Sequence, residues 1–125
     1  MRTLALIALA FPLPALAQIE IDPARGAAIF AERCAACHGP EGRGGTGPDL
    51  TRIAARAGGA FPTVPVLAQI DGMGRHGDPD AVMPEFGAGD LGPTVIIEIE
   101  EGLGTPVPAD LVALTEFLKL IQSGE

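Results

Sequence analysis

The feature that most constrains this chain is a run of five residues, Cys34-Ala35-Ala36-Cys37-His38. Its two cysteines are the only ones among 125 residues, and a histidine follows the second one directly. Four interpretations compete: a disulfide or thioredoxin-type redox pair, a structural zinc site, chance adjacency, and an attachment site for c-type haem.

Haem attachment is the interpretation that gives all three side chains a role. A disulfide leaves His38 unexplained, and the βαβ pattern of a thioredoxin-like fold is missing. A structural zinc ion needs four ligands, and beyond the motif only His76 remains as a candidate. Two thioether bonds to one edge of a porphyrin, with an imidazole placed under the iron, account for the spacing. We therefore expect one covalently attached haem c on Cys34 and Cys37.

The first 17 residues have the pattern of a secretory signal peptide. A short basic start precedes the apolar run Leu4–Phe11, which is too short for a bilayer span of about 20 residues. Ala15 and Ala17 place small side chains at the −3 and −1 positions of a cut before Gln18. We expect cleavage there and an exported, periplasmic domain over residues 18–125 that does not span the membrane; an uncleaved anchor is the alternative.

The charge balance restricts the class of partner. Sixteen acidic residues outnumber eight basic ones, for a formal net charge of −8, and loss of Arg2 with the signal makes the chain more acidic. Such a charge argues against nucleic acid or an anionic membrane surface as a partner. It favours protein partners with basic surfaces, whose binding weakens as salt is added.

The first predicted helix begins at Asp22-Pro23, because Asp is a favoured N-cap and Pro is favoured at the first helical position. It continues from Ala24 to Cys34. Gly26 within it costs about 1 kcal/mol relative to Ala, which predicts that another helix approaches closely there. Phe30 lies four residues later on the same face.

The second predicted helix lies at the C-terminus, with Pro108 at its first position and Ser123-Gly124 at its end. Its apolar residues recur at helical spacing: Leu111, Leu114, Leu118 and Ile121. We expect the two terminal helices to cross. The predicted contacts of this crossing are those of Gly26 and Phe30 with Leu114 and Phe117.

Loops dominate the chain between these helices. Residues 39–47 contain five glycines in nine positions, which predicts a loop that wraps tightly against something flat. A phosphate-binding loop is excluded, because no strand precedes it and no Gly-Lys-Ser/Thr comes after it. A short helix is expected within Thr63–Met73, beginning near Pro65.

A short strand is predicted at Thr94–Glu100, where apolar and acidic residues alternate. Gly102-Leu103-Gly104 turns the chain back, so we expect a β-hairpin around residues 94–107. Two interpretations of this segment remain open. It either covers the haem edge, or it is a docking surface that carries Glu98, Glu100 and Glu101.

The order of these features resembles that of the class I cytochromes c. The shared elements are the N-terminal helix with its glycine and aromatic residue, the attachment motif, Gly-Pro-x-Leu at 47–50, Met-Pro-x-Phe at 83–86 and the amphipathic C-terminal helix. The resemblance covers nearly the whole mature chain. It implies an all-α fold of that class, with the terminal helices crossing and the haem between loops.

The resemblance also implies a set of iron ligands. His38 is then the proximal ligand, and the carbonyl of Pro48 accepts a hydrogen bond from its other ring nitrogen. Leu50 packs on the haem, and Met83 is the distal ligand. His/Met ligation raises the reduction potential and leaves no open position on the iron.

Two other residues compete for the distal position. Met73 lies ten residues before Met83 but lacks a following proline. His76 would bind iron well and would lower the potential. The family's Trp or Tyr near the haem propionates is absent here, so Arg52 or Arg56 is expected in that role, with a solvated arginine as the alternative for each.

The function expected from the resemblance is single-electron transfer by a monomeric periplasmic shuttle, an electron carrier rather than an enzyme. Its donor and acceptor are redox proteins. A dedicated cytochrome subunit of a periplasmic dehydrogenase or reductase is the alternative. A gas-binding or peroxide-reducing haem protein with an open sixth site is a third class.

Overall fold

The computed structural model describes residues 19–75 and 77–124, so the predicted signal peptide and His76 lie outside the described residues. Within this part of the chain there are five helices and one two-stranded sheet, consistent with a helical fold that carries one hairpin. In chain order the elements are α1 (Pro23–Arg33), α2 (Ala35–His38), α3 (Ile53–Arg56), α4 (Thr63–Asp71), β1 (Thr94–Glu100), β2 (Leu103–Pro108) and α5 (Ala109–Leu120).

Helix α1 begins as its sequence predicts. The side chain of Asp22 accepts a hydrogen bond from the N–H of Ala24 at 2.8 Å, and Pro23 occupies the first helical position. A capping side chain at this point satisfies a backbone donor that has no partner within the helix. The helix ends at Arg33, and Cys34 connects it to α2.

Helix α5 begins one residue later than predicted. Pro108 is not its first residue, because ψ of 138° keeps Pro108 extended as the last residue of β2. The free N–H groups of the first turn donate to the loop that precedes β1, Ala109 to the carbonyl of Pro93 and Asp110 to that of Leu91. The helix also ends before Ser123, whose N–H donates to the carbonyl of Thr51.

The predicted crossing of α1 and α5 is confirmed. A Cβ atom on Gly26 would overlap the carbonyl oxygen of Ala113 and would lie 2.9 Å from the backbone nitrogen of Leu114. Phe30 is 1% exposed, and its ring centroid lies 5.3 Å from that of Phe117. Glycine thus allows the two backbones to touch, and the aromatic pair fills the space beside the contact.

A single hydrophobic cluster surrounds this crossing. It draws buried side chains from α1, α4, β2, α5 and the loop before β1: Ile29, Phe30, Val66, Leu67, Ile70, Leu91, Val107, Leu111, Val112, Leu114 and Leu118.

Helix α4 spans Thr63–Asp71, so it begins two residues before Pro65, and the left-handed residue Gly72 ends it. The one-turn helix α3 is not predicted from the sequence.

The predicted hairpin is present, with β1 and β2 antiparallel and Ile96 paired with Pro106. The alternation in β1 places Val95, Ile97 and Ile99 on the half-buried face, whereas Ile96 is 68% exposed. The register shifts between Glu98 and Glu100.

In the described part of the chain, no helix combines the length and apolarity that a bilayer span requires.

Substitution of Gly26 by Ala tests the crossing. Although Ala has the higher helix propensity, the added methyl group would meet rigid backbone, so we expect a loss of about 1–3 kcal/mol in the free energy of unfolding. Guanidinium unfolding of the holoprotein measures it. Gly74→Ala is the matched control, because a Cβ atom there meets no atom within 4 Å. Equal stability of the two variants would contradict this account of the crossing.

A charged contact beside the crossing predicts a pH dependence. The guanidinium of Arg25 donates to both carboxylate oxygens of Asp110, at 3.0 and 2.6 Å, and this hydrogen bond is the main reason that the pKa of Asp110 is lowered. A lowered pKa stabilises the fold above the unfolded value of about 3.9, and that stability is lost as the pH falls through the folded value.

Arg25→Met should therefore be less stable than the parent protein at pH 7, and the difference should shrink as the pH falls below about 4. Unfolding free energies at pH 7 and pH 3 measure this. Arg43→Met is the control, because Arg43 and its partner Glu41 are both exposed and only two residues apart. A deficit for Arg25→Met that is independent of pH would show that the charge of Asp110 is not involved.

Candidate haem-binding site

The five-residue motif forms a single turn. The N–H groups of Cys37 and His38 both donate to the carbonyl of Cys34, at 3.1 and 3.0 Å. Residues three and four apart lie on the same side of a helix, so both thiols and the imidazole belong to one face. Both cysteines are free thiols in the structure.

The three side chains differ in exposure. Cys34 is half-buried, Cys37 is exposed and His38 is only 8% exposed. Burial raises the pKa of the Cys34 thiol, and the positive charge of neighbouring Arg33 opposes this in part. The motif therefore has a buried end at the imidazole and an accessible end at Cys37.

The imidazole of His38 has one ring nitrogen engaged and one open. Its Nδ1 lies 2.9 Å from the carbonyl oxygen of Pro48, and a carbonyl can only accept, so Nδ1 carries the proton. Within the described chain no fully buried side-chain nitrogen or oxygen lacks a partner, so Nε2, which has none, faces accessible space. Its lone pair is thus available to a metal ion.

The glycine-rich loop over residues 39–47 holds this ring in place. The N–H of Gly44 donates to the carbonyl of His38, and that of Gly47 donates to the carbonyl of Cys37, both at 2.8 Å. A Cβ atom on Gly47 would lie 2.9 Å from two atoms of the imidazole. The flat group that this loop contacts is therefore the ring of His38. The loop packs against the edge of the ring that carries Nδ1.

The segment after Pro48 is tied to the C-terminus. The side chain of Gln122 donates to the carbonyl of Leu50 at 2.8 Å and accepts from the N–H of Ala54 at 2.9 Å. The carboxylate of Asp49 accepts hydrogen bonds from both the hydroxyl and the N–H of Thr51, which lower the pKa of Asp49. These contacts hold Leu50, which is half-buried and packs against the core, next to the histidine side of the site.

The two arginines predicted to lie near the propionates are both exposed. The guanidinium of Arg56 donates to the carbonyl oxygen of Asp49 at 2.7 Å, so part of its donor capacity serves the backbone. Arg52 directly precedes α3. Their roles toward a propionate stay predictions.

The sulfur-bearing candidates for the distal position differ in their environment. Met83 is half-buried and packs against the hydrophobic core, whereas Met73 is 69% exposed. The amide Nε2 of Gln69 lies 3.7 Å from the sulfur of Met83, in the position of a donor. A hydrogen bond of this kind orients a thioether without blocking its second lone pair.

Arg75 organises the backbone around Met83. Its guanidinium donates to the carbonyls of Gln69 at 2.7 Å, Met83 at 3.2 Å and Pro84 at 3.4 Å. By binding these three carbonyls, the guanidinium of Arg75 joins α4, at Gln69, to the Met83-Pro84 segment. Sequence reasoning missed both Arg75 and Gln69, because an arginine in a glycine-rich loop has the same local pattern as a solvated one.

Two backbone hydrogen bonds connect the segment after Met83 to the end of α4. The N–H of Phe86 donates to the carbonyl of Ile70 at 3.1 Å, and that of Gly87 donates to the carbonyl of Asp71 at 3.0 Å. A Cβ atom on Gly87 would overlap the carboxylate of Asp71. The segment after Met83 is thus held directly against the end of α4.

Together these residues fit a covalently bound haem. Two free thiols and an open imidazole nitrogen lie on one turn, and a half-buried thioether is held on a second segment of the chain. Several apolar side chains at the margin of the core are only partly buried, among them Leu50, Ile53, Phe61 and Phe86. Such a margin suits a large flat apolar group.

The geometry and the motif define a c-type cytochrome domain. The family model described as "Cytochrome C oxidase, cbb3-type, subunit III" matches residues 21–99, more than half of the chain, so the chain belongs to this family of c-type cytochrome domains. Membership implies covalently bound haem c and the function class of an electron carrier, with redox proteins as partners. Searches of curated proteins and of solved structures found no significant match.

Arg75→Met tests the clamp on the Met-Pro segment. Removing donors to three carbonyls, each worth about 0.5–1.5 kcal/mol, should speed hydrogen exchange of the Phe86 and Gly87 amides about tenfold or more. Exchange in the holoprotein followed by NMR measures this. Arg33→Met, which removes an exposed arginine whose partner is its neighbour Glu32, should leave these amides unchanged. Unchanged exchange rates in Arg75→Met would mean that Arg75 does not stabilise the segment after Met83.

Proposed function

We propose that the mature chain is a periplasmic electron carrier that moves single electrons through one haem c held by Cys34 and Cys37 and ligated by His38 and Met83. The observation that carries this proposal is the state of the imidazole. Nδ1 of His38 is engaged by the carbonyl of Pro48, and Nε2 is open on the same turn as two free thiols. When bound, the haem supplies an iron that changes its charge by one unit.

The proximal side is built to keep the imidazole still. The hydrogen bond to Pro48 fixes the tautomer and orientation of His38, and it makes Nε2 a better donor to iron. Because Gly47 has no Cβ atom, its backbone can lie close beside the ring, where any other residue would crowd the imidazole. A ligand that does not move on oxidation or reduction keeps the energetic cost of electron transfer low.

The distal side is assigned to Met83 because of its surroundings. Its sulfur is approached by the amide of Gln69, and its carbonyl is held by Arg75, while Met73 is mostly exposed. A thioether is a weak donor that favours reduced iron, so this ligand raises the potential. As a ligand Met83 would also leave no position on the iron open, which would suit electron transfer rather than chemistry on a bound substrate.

The proposed periplasmic location depends on the N-terminal segment. The apolar run Leu4–Phe11 and the small residues before Gln18 support export with cleavage at that position. Domains of the c-type cytochrome class are usually exported. Since the sequence has only two cysteines, it offers one attachment motif and hence one doubly linked haem.

A second candidate function is that of a dedicated cytochrome subunit of a larger periplasmic dehydrogenase or reductase. The family model that matches the chain is named after a subunit of an oxidase, which favours a place in a larger redox enzyme. A free shuttle should be isolated as a monomer, whereas a subunit should co-purify with a catalytic partner at a stable interface. The proposed ligation is the same in both cases.

Optical spectroscopy of the exported protein tests the ligation. We expect a low-spin haem c spectrum, a weak sulfur-to-ferric-iron band at the red end, and no response to carbon monoxide. Met83→Ala should abolish that band and make the reduced protein bind carbon monoxide. Met73→Ala is the matched control and should change neither property.

Other outcomes point to specific alternatives. A high-spin spectrum of the parent protein, or a prompt shift with carbon monoxide, would mean an open sixth site and a gas-binding or catalytic haem. Persistence of the red band in Met83→Ala together with its loss in Met73→Ala would transfer the distal role to Met73. A low-spin spectrum that lacks the band in the parent protein would favour His76.

A further inference from the structure

A groove runs along the outer edge of β1. Helices α4 and α5 form its other walls, and its volume is about 210 Å³. The lining residues that matter here are Val64, Leu67, Ile97, Glu98, Val112 and Glu116. Strand β2 contributes none of them, so the groove lies on the side of β1 that faces away from its partner strand.

The register of the hairpin determines which backbone groups face this groove. Ile96 is paired with Pro106, and a proline has no N–H, so this pair cannot exchange both hydrogen bonds of a hydrogen-bonded pair. It is therefore a non-hydrogen-bonded pair, as are its second neighbours in β1, Thr94 and Glu98. In such pairs the N–H and C=O groups point away from the partner strand.

These outward groups have no partner in the described part of the chain. The sheet has two strands, and no backbone hydrogen bond outside the hairpin involves Ile96 or Glu98. The outer edge of β1 therefore presents a row of free donors and acceptors. Such an edge is a template on which an additional strand can form.

The other edge of the hairpin is closed to pairing. In β2 the positions whose backbone would face outward include Pro106 and Pro108, and both lack the donor that a further strand requires. Proline on an edge is a common means of preventing strand addition. Only the edge of β1, beside the groove, is open.

The groove determines which side chains an added strand needs. Because neighbouring strands share their faces, residues that point inward would lie beside Ile97 and meet Val64, which is 43% exposed, and Leu67. Residues that point outward would lie beside Glu98 and Glu100. The matching segment therefore alternates apolar and basic residues.

The charge of this region disfavours a second copy of the chain as the occupant. Pairing of two β1 strands would bring Glu98 and Glu100 of both copies onto one face, and like charges on adjacent strands are destabilising. Lys119, the cation among the lining residues, is already paired with Glu116 at 2.6 Å. A partner with basic residues meets no such repulsion.

We propose that the open edge of β1 docks an extended segment of a partner protein, which adds as a third strand and alternates apolar with lysine or arginine residues. Main-chain hydrogen bonds supply the register, the groove accepts the apolar side chains, and Glu98 and Glu100 pair with the basic ones. This proposal concerns the hairpin and two helices, so it can fail while the haem ligation stands.

The test uses the mature holoprotein and a short synthetic peptide of alternating lysine and valine. We expect saturable binding that weakens as salt is added, with the largest amide shifts in NMR spectra at Ile96 and Glu98. A peptide of the same sequence with N-methyl groups on alternate amides keeps the charge and apolarity but cannot pair on that side. It should bind about tenfold more weakly or not at all.

Two variants of the protein locate the site. Ile96→Pro removes an outward donor without removing a bond of the hairpin, and should weaken binding about tenfold. Glu98→Gln keeps an acceptor for the N–H of Gly102, which the Glu98 carboxylate holds at 2.9 Å, but removes the charge. It should weaken binding a few-fold and reduce the salt dependence. Glu32→Gln is the charge-matched control on α1 and should have no effect.

Three outcomes would overturn the proposal. Equal binding of the N-methylated peptide would reduce the interaction to nonspecific charge attraction, and this result does not depend on how any variant folds. Amide shifts confined to other faces of the molecule would place the peptide elsewhere. Self-association of the parent protein that Ile96→Pro abolishes would mean that the edge serves a second copy.

Discussion

The contact between the backbones of Gly26 and Ala113 is the constraint on which the histidine side of the proposed haem site depends. It sets how closely α1 and α5 approach, and Cys34–His38 continues directly from the end of α1. The residues just after α5 reach the same region, since Gln122 binds the carbonyl of Leu50. One backbone contact therefore positions the attachment turn and the segment that contains Pro48.

The two sides of the site are held by different kinds of interaction. Backbone groups and glycines fix His38, so the position of the imidazole follows from the chain's path. On the side proposed for the distal ligand, side chains hold Met83, through the guanidinium of Arg75 and the amide of Gln69. Long side chains lose more conformational freedom on ordering than backbone already fixed in a turn. Holding Met83 in place therefore carries an entropic cost that holding His38 does not.

Local patterns in the sequence were sufficient to predict the terminal helices and the hairpin, whereas the contact of His38 with Pro48 was predicted only from the resemblance to the class I cytochromes c. Capping residues, glycine in a helix and strict alternation each act over a few positions, so they can be identified without knowledge of the fold. The start of α5 was misplaced because Pro108 suits both a first helical turn and an extended strand end. The hydrogen bonds of Arg75 join residues that are six to nine positions away along the chain, and no local pattern encodes them.

The match to the cytochrome family ends at residue 99, inside β1, yet the core also needs the hairpin's second strand and the last helix. Val107 of β2 and the buried face of α5 supply about half of the hydrophobic cluster. Strand β2 passes into α5 without a loop, which ties the hairpin to the helix that crosses α1. A strand added at the edge of β1 would therefore be fixed in orientation relative to α1 and to the attachment turn at its end. The hairpin is in this way a rigid extension of the helical crossing, and it can set the direction from which a partner approaches.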